Sequence, residues 1–269
     1  MLLFANAKIN IGLNITSKRP DGFHNLETCF FPVGLSDIIE FKECNDKPRF
    51  SNTGIVLPDS AEDNLCIKAW KLLKTVFNIP PVEIHLHKQI PVGAGLGGGS
   101  SDAAFMLKGL NSEFKIGLSD SDLEKFAVEL GSDCAFFIHN RPAFAKGKGE
   151  LLEAVSIDLS AFKVVLINPG IHISTAEAYS SVTPCVPDKS IAEYLKLSPS
   201  KWQDNIVNDF EKGIFSAYPE IREIKEYLIA SGAHYSAMSG SGSTVFGLFE
   251  KEIPEAVKEK FHKMFVWWN

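Results

Sequence analysis

The sequence predicts an α+β chain built in two parts. Three observations lead there. Residues 7–15 alternate apolar and polar side chains with a period of two, the mark of a strand. Later stretches repeat with helical period and are interleaved with short apolar, strand-like runs. The pattern then changes across Glu153–Ser160, beyond which one apolar strand is followed by a succession of helices. The division is therefore expected at 155/156, giving domains of residues 1–155 and 156–269, an ordinary size for each.

Taken in order, Met1–Ala5 is too short for a signal core and is followed by Lys8, so it reads as the start of the first strand. Ile9, Ile11, Leu13 and Ile15 share one face of that strand, and Lys8, Asn10 and Asn14 share the other. Pro20-Asp21-Gly22 marks a turn, and a second strand is expected near 37–42. A helix over 63–77 places Leu65, Ala69, Leu72, Leu73 and Val76 on its apolar side. A strand over 82–87 leads to a glycine-rich loop, and a helix over 102–110 follows with Ser100 or Ser101 as its N-cap. Residues 119–130 form a helix opened by a Ser119/Asp122 capping box and ended by Gly131. In the second part, strands are expected over 162–167, 234–238 and 244–249, with helices over 190–197, 201–215, 219–230 and 254–265.

Composition narrows the function. Hydrophobic residues make up 45% and charged residues 22%, which fits a packed globular chain. The net charge of −6 gives no overall basic excess for nucleic acid, and no apolar run reaches the length of a membrane span. Five scattered cysteines without a CxxC pair suggest reduced thiols in a cytoplasmic protein, not a zinc site or a disulfide framework.

The densest signal is Pro91-Val-Gly-Ala-Gly-Leu-Gly-Gly-Gly-Ser-Ser-Asp-Ala-Ala104, which holds five glycines between a strand and a helix. Glycine permits positive φ and lets a ligand approach the backbone, so successive N–H groups and a helix N-terminus can cradle a polyphosphate. Gly93, Gly95 and Gly98 also satisfy the GxGxxG spacing of dinucleotide folds. The acidic strand end expected about 20 residues on is replaced by the 119–130 helix. A Walker A loop needs a Gly-Lys-Ser/Thr run, and Gly99-Ser100-Ser101 lacks the lysine. A merely structural turn would not need so much conformational freedom.

This motif resembles the central motif of the GHMP kinases. Ala7-Lys8-Ile9-Asn10 and Ser239-Gly240-Ser241-Gly242 resemble the family's first and last motifs, so the likeness spans nearly the whole chain. Three further stretches resemble the family members whose acceptor carries a cytidine diphosphate group. They are Arg19 to Thr28, Leu130-Gly131-Ser132-Asp133 and Asn208-Asp209-Phe210-Glu211. The resemblance implies an N-terminal domain with a left-handed βαβ crossover and a ferredoxin-like C-terminal domain. It implies ATP-dependent phosphorylation of an acceptor 2-hydroxyl in non-mevalonate isoprenoid (terpenoid) precursor synthesis, with Mg²⁺ and with no nucleic acid, membrane or obligate protein partner.

Site residues follow from the same likeness. Pro91, Gly93, Gly95, Leu96, Gly97, Gly98, Gly99, Ser100 and Ser101 would hold the phosphates, and Asn64 and Leu65 the adenine. Asp133 would take the acceptor's proton with Lys8 as its partner, although position alone would make Asp133 a helix cap and Lys8 a solvated strand lysine. Asn10, His24, Thr175 and Tyr179 match acceptor-binding positions, as does Phe23, where the family often has tyrosine. Phe23 and Tyr179 would sandwich the base and His24 would read its edge. The metal ligands stay unassigned. Asn6 and Ala135 stand where prolines are frequent in the family. The rival readings are a kinase of mevalonate phosphates and a non-catalytic nucleotide sensor.

Overall fold

The computed structural model describes residues 1–57 and 62–269. In chain order the strands and helices are β1 (Leu2–Lys18), β2 (His24–Glu43), β3 (Arg49–Gly54), α1 (Leu65–Val76), β4 (Val82–Lys88), α2 (Gly98–Glu113), α3 (Asp120–Leu130), α4 (Cys134–His139), β5 (Ala143–Lys146) and β6 (Leu151–Ala154). They continue with β7 (Lys163–Asn168), α5 (Thr175–Ser180), α6 (Ile191–Tyr194), α7 (Phe210–Ala217), α8 (Pro219–Ala230), β8 (Tyr235–Met238), β9 (Val245–Phe249), α9 (Glu255–Lys260) and β10 (Phe265–Trp268). Two compact units are built from interleaved segments. The first takes Met1–Ala7, Gly34–Val92 and Gly97–Arg141; the second takes Lys8–Val33, Gly93–Leu96 and Pro142–Asn269.

In the first unit the later half of β2 pairs antiparallel with β4, in the register Ile39↔Leu86 and Phe41↔Ile84. β3 lies parallel to β4, so β3–α1–β4 is a parallel crossover. Alternation puts Ile39, Phe41, Ile84 and Leu86 into the core. α1 buries Ile67, Trp70 and Leu73, spaced three apart, and packs against α2, and the Trp70 indole N–H donates to Pro80 O. The capping box of α3 forms as the sequence predicts, with Ser119 bonded to the Asp122 N–H. The Ser119 hydroxyl, helped by Lys125, holds the Asp122 carboxyl down at about 2.

In the second unit β7, β8, β9 and β10 form an antiparallel sheet in the order β10-β7-β9-β8. With helices after β7 and between β9 and β10, this is the split βαβ arrangement of a ferredoxin-like fold. Its core gathers Val165 and Ile167 of β7, Ile221, Ile224 and Leu228 of α8, and Val245 of β9. The earlier half of β2 pairs with β5 at Thr28↔Ala145, and β5 pairs with β6. No helix among the described residues is long and apolar enough to cross a membrane.

Three expectations are corrected. The helix expected over 201–215 begins only at Phe210, because the preceding segment bridges β1: Leu13 N–H donates to Val207 O and Asp209 N–H to Leu13 O. The helix expected over 254–265 ends at Lys260. Phe265–Trp268 is aromatic and β-branched and pairs with β7 instead. The helix after the glycine loop starts at Gly98, with Gly97 as N-cap in the left-handed region (φ 70°), so neither Ser100 nor Ser101 caps it.

Candidate active site

The glycine loop is shared between the units. Its first half, Gly93–Leu96, belongs to the second unit and is fastened along β1, where Lys8 N–H donates to Leu96 O over 3.0 Å. Gly95 sits at φ 77°, and a Cβ there would lie 1.9 Å from Ser239 O. Only glycine meets both demands. The Ser239 hydroxyl donates to Gly95 O over 2.8 Å, and Thr244 N–H donates to Ala94 O. The last glycine motif of the sequence is thus a clamp on the central one. Its role was hidden because the two motifs lie 144 residues apart.

Lys8, expected on a polar strand face, is buried (3% exposed). Its Nζ donates to Asn10 Oδ1 over 2.5 Å and to Gly95 O over 3.1 Å, and lies 5.0 Å from the Phe30 ring centre. Asn10 is buried too, and its Nδ2 donates to Thr28 Oγ1 while its backbone N–H donates to Ser239 Oγ. Burying both faces is tolerable because each polar group is paired.

Asn208, Asp209 and Glu211, which resemble a helix face in sequence, form a hub. Asn208 Nδ2 donates to Met238 O and Gly240 O, each over 2.8 Å. Asp209 accepts from the Ile15 N–H and from Asn14 Nδ2. Glu211 accepts from the Met238 N–H and from Lys225. Burial raises the Glu211 carboxyl above its usual range despite the Lys225 ammonium.

The second half of the loop opens α2 in the first unit. Gly97 offers no side-chain cap and the first turn of α2 carries no acidic residue. The leading amides of a long helix therefore keep their donors, with the positive end of its dipole behind them. Gly99 is exposed, and a Cβ on it would stand 3.5 Å from Leu65, so the two residues expected to meet the nucleotide are neighbours. Asn64 caps α1, its side chain accepting from Cys66 N–H. Gly98 is buried and Pro91 and Ser100 are half-buried. Ser101 is buried with its hydroxyl donating to Asn6 O over 2.7 Å, so it fastens the helix to β1.

Asp133 precedes α4 in the N-cap position yet makes no side-chain cap bond there. The capping role that position alone suggested is not the one it plays. A Cβ on Gly131 would lie 3.8 Å from Ser100 Oγ, so the start of α4 adjoins the start of α2. Burial pushes the Cys134 thiol, which bonds Ser100, up to about 12.

The acceptor residues named from sequence lie in the second unit. The rings of His24 and Tyr179 stack with centres 4.8 Å apart and planes at 23°, and Tyr179 meets Phe210 edge-on. Phe23 is 58% exposed, with the Lys148 ammonium 4.8 Å from its ring centre. Thr175 opens α5 and Tyr179 lies four residues on, on the same helix face.

Family models match two stretches, the GHMP kinases N terminal domain over residues 64–141 and the GHMP kinases C terminal domain over residues 189–266. A 4-diphosphocytidyl-2-C-methyl-D-erythritol kinase of Bacteroides fragilis is 50% identical over 267 residues, covering 98% of this chain and 95% of its own length. One from Parabacteroides distasonis is 49% identical, covering 99% and 98%. The crystal structure of a 4-(cytidine 5'-diphospho)-2C-methyl-D-erythritol kinase superposes with a TM-score of 0.85 at 32% identity, covering 100% of this chain and 98% of that one. The Methanococcus jannaschii mevalonate kinase, at TM-score 0.71 and 14% identity, shares the fold; it covers 100% of this chain and 96% of that one.

Proposed function

The chain belongs to the GHMP kinase family, and on that premise we propose that it moves the γ-phosphoryl group of ATP onto the 2-hydroxyl of 4-(cytidine 5'-diphospho)-2-C-methyl-D-erythritol, a step of non-mevalonate isoprenoid precursor synthesis. The observation that carries the nucleotide assignment is the uncapped, glycine-built start of α2 beside Leu65 and the start of α4.

Phosphoryl transfer needs positioning, charge neutralisation and a group to take the hydroxyl proton. The leading amides of α2 bind the phosphate oxygens. The acceptor oxygen attacks the γ-phosphorus, the bond to the β–γ bridging oxygen breaks, and ADP leaves. Asp133 accepts the proton released from the hydroxyl. Lys8 supplies positive charge that favours the alkoxide form of the acceptor. Asn10 orients the acceptor, and Phe23, His24, Thr175 and Tyr179 hold its cytidine end. Among the described residues no three His, Cys, Asp or Glu side chains converge as a metal group. Mg²⁺ entering as MgATP would be bound mainly by phosphate oxygens and would need only one or two protein ligands; so held, it would neutralise phosphate charge. The partners are small molecules, and the chain works in the cytoplasm.

The test is ADP release with the cytidylyl acceptor set against mevalonate phosphate. Release only with the former supports the reading, and release only with the latter overturns it. Nucleotide binding without release on either acceptor identifies a sensor. Asp133→Asn is expected to lower turnover by about 10² to 10⁴, the cost of losing a general base; near-normal turnover would remove Asp133 from that role.

A further inference from the structure

Away from the residues given roles above, the first unit buries three charged side chains together. Lys88, at the end of β4, is 3% exposed. Its Nζ donates to Asp37 Oδ2 of β2 over 2.5 Å and to Asp102 Oδ2 of α2 over 2.7 Å. Two carboxylates and one ammonium in a dry interior are costly to assemble, and replacing such groups by apolar ones often stabilises a protein. Stability alone is therefore a poor account of them. Their placement offers a better one.

Asp37 Oδ1 accepts from the N–H groups of Gln89 and Ile90 over 2.6 and 2.9 Å. These residues lead the chain into the glycine loop. Asp102 lies in the first turns of the helix that leads out of it. Between the two, a Cβ on Gly98 would fall 2.9 Å from Ile90 and 3.1 Å from Lys88 Nζ, so the ammonium lies directly against the first residue of that helix. One lysine thus ties the chain entering the loop to the helix leaving it.

We infer that Asp37, Lys88 and Asp102 form a positioning triad that fixes the leading amides of α2 for the nucleotide's phosphates. The inference rests on the ATP assignment made above and adds to it what holds the cradle rigid.

Charge supports the same conclusion. Two ionised carboxylates would leave a net negative charge beneath an anion site. Burial, with Asp37 adding to it and Lys88 opposing, pushes the Asp102 carboxyl up to about 8, so it keeps its proton at neutral pH. Asp102 Oδ1 is buried with no hydrogen-bond partner among the described residues, which a neutral carboxyl tolerates better than a charged one. The charged and titratable groups that face Asp102 are Lys88 from β4, Asp37 from β2 and the Cys66 thiol from α1. Burial holds that thiol well above its ordinary range, so it stays neutral.

Asp102→Ala removes one tie and leaves the charge-balanced Lys88–Asp37 pair, and Asp102→Asn restores a partner of the same shape. The experiment is calorimetric titration of each full-length protein with MgATP from pH 7 to 9, beside initial rates in both substrates. Asp102→Ala is expected to weaken ATP binding about tenfold and to raise KM for ATP in proportion, with KM for the acceptor unchanged, because a loosened cradle loses preorganisation. Asp102→Asn is expected to bind within about threefold of wild type, as an isosteric replacement keeps the geometry. Wild-type affinity is expected to fall as pH rises through 8 while that of Asp102→Asn does not. Should Asp102→Ala not fold, Asp102→Ser carries the same expectation. A wild type that binds ATP beside a folded Asp102→Ala that binds it equally overturns the triad and leaves the ATP assignment standing. Both KM values rising together also overturn it. A wild type with no ATP affinity overturns the assignment and the triad with it.

Discussion

Lys8 and Lys88 are equally buried, and each meets different groups within its own unit. Within the first unit Lys88 meets the side-chain acids of Asp37 and Asp102; burial pulls its pKa down, and these two acids more than offset that and raise it. Within the second unit Lys8 meets the amide oxygens of Asn10 and Gly95 and the face of Phe30. Neutral oxygens fix where an ammonium points, and carboxylates also offset its charge. The same residue type thus serves as a bolt in one unit and as an oriented charge in the other. On the function proposed above, the bolt would hold a nucleotide cradle and the oriented charge would serve chemistry.

The largest effect that would sharpen this contrast is in stability. Lys88→Met strips the Asp37 carboxylate of its counter-charge and the Asp102 carboxyl of its hydrogen-bond donor, and is expected to cost about 3–5 kcal/mol, the range for breaking a buried pair from one side. Urea unfolding measures it, and a loss under 1 kcal/mol would mean that the triad holds nothing in place. The pH dependence has a defined sign. A carboxyl raised on folding, as Asp102 is, contributes stability that is full below its unfolded pKa and is lost as pH rises through about 8. Wild-type stability in the first unit is therefore expected to decline as pH rises from about 4 to about 8 and to level off above that, and less so in Asp102→Asn.

Lys8→Met is expected to show the opposite balance. Gly95 O keeps its bond from Ser239, so losing the lysine's bond to it should cost about 1 kcal/mol, one net hydrogen bond. Turnover should fall by about 10² to 10³, the usual cost of removing a preorganised electrostatic contact. Rapid-quench kinetics beside urea unfolding separates the two, and a variant that loses stability but keeps turnover would erase the distinction between the lysines.

Much of this was legible in the sequence wherever a signal is local. The alternation of β1, the α3 capping box and the glycine loop each depend on residues within one element or one turn, and each appears where expected. What was illegible depends on pairing across the chain. Lys8, Asn10 and Asn14 read as a wet face because nothing adjacent in sequence announces Ser239, Thr28 or Asp209 as their partners. The run from 202 to 209 has helical composition, but after a turn at Trp202–Ile206 its end, Val207 and Asp209, bonds Leu13. β10 follows helical residues and pairs with β7, about a hundred residues earlier. The triad gave no such sign: Lys88 ends an alternating strand, Asp102 precedes the apolar run Ala103–Leu107, and nothing adjacent in sequence joins the two. Of the candidate site, residue types came from motif likeness, whereas the clamp by Ser239, the hub at Asn208 and the uncapped start of α2 needed coordinates.

The most direct measurement of the central claim is the position of the new phosphate, read by phosphorus NMR on the product of ATP and the cytidylyl acceptor. The 2-carbon of the acceptor bears the methyl branch and no hydrogen. A phosphate placed there is expected to give a resonance without three-bond splitting from a carbinol proton, with one ADP formed for each product. A resonance split by such a proton, or ATP bound and returned unchanged, would contradict the account.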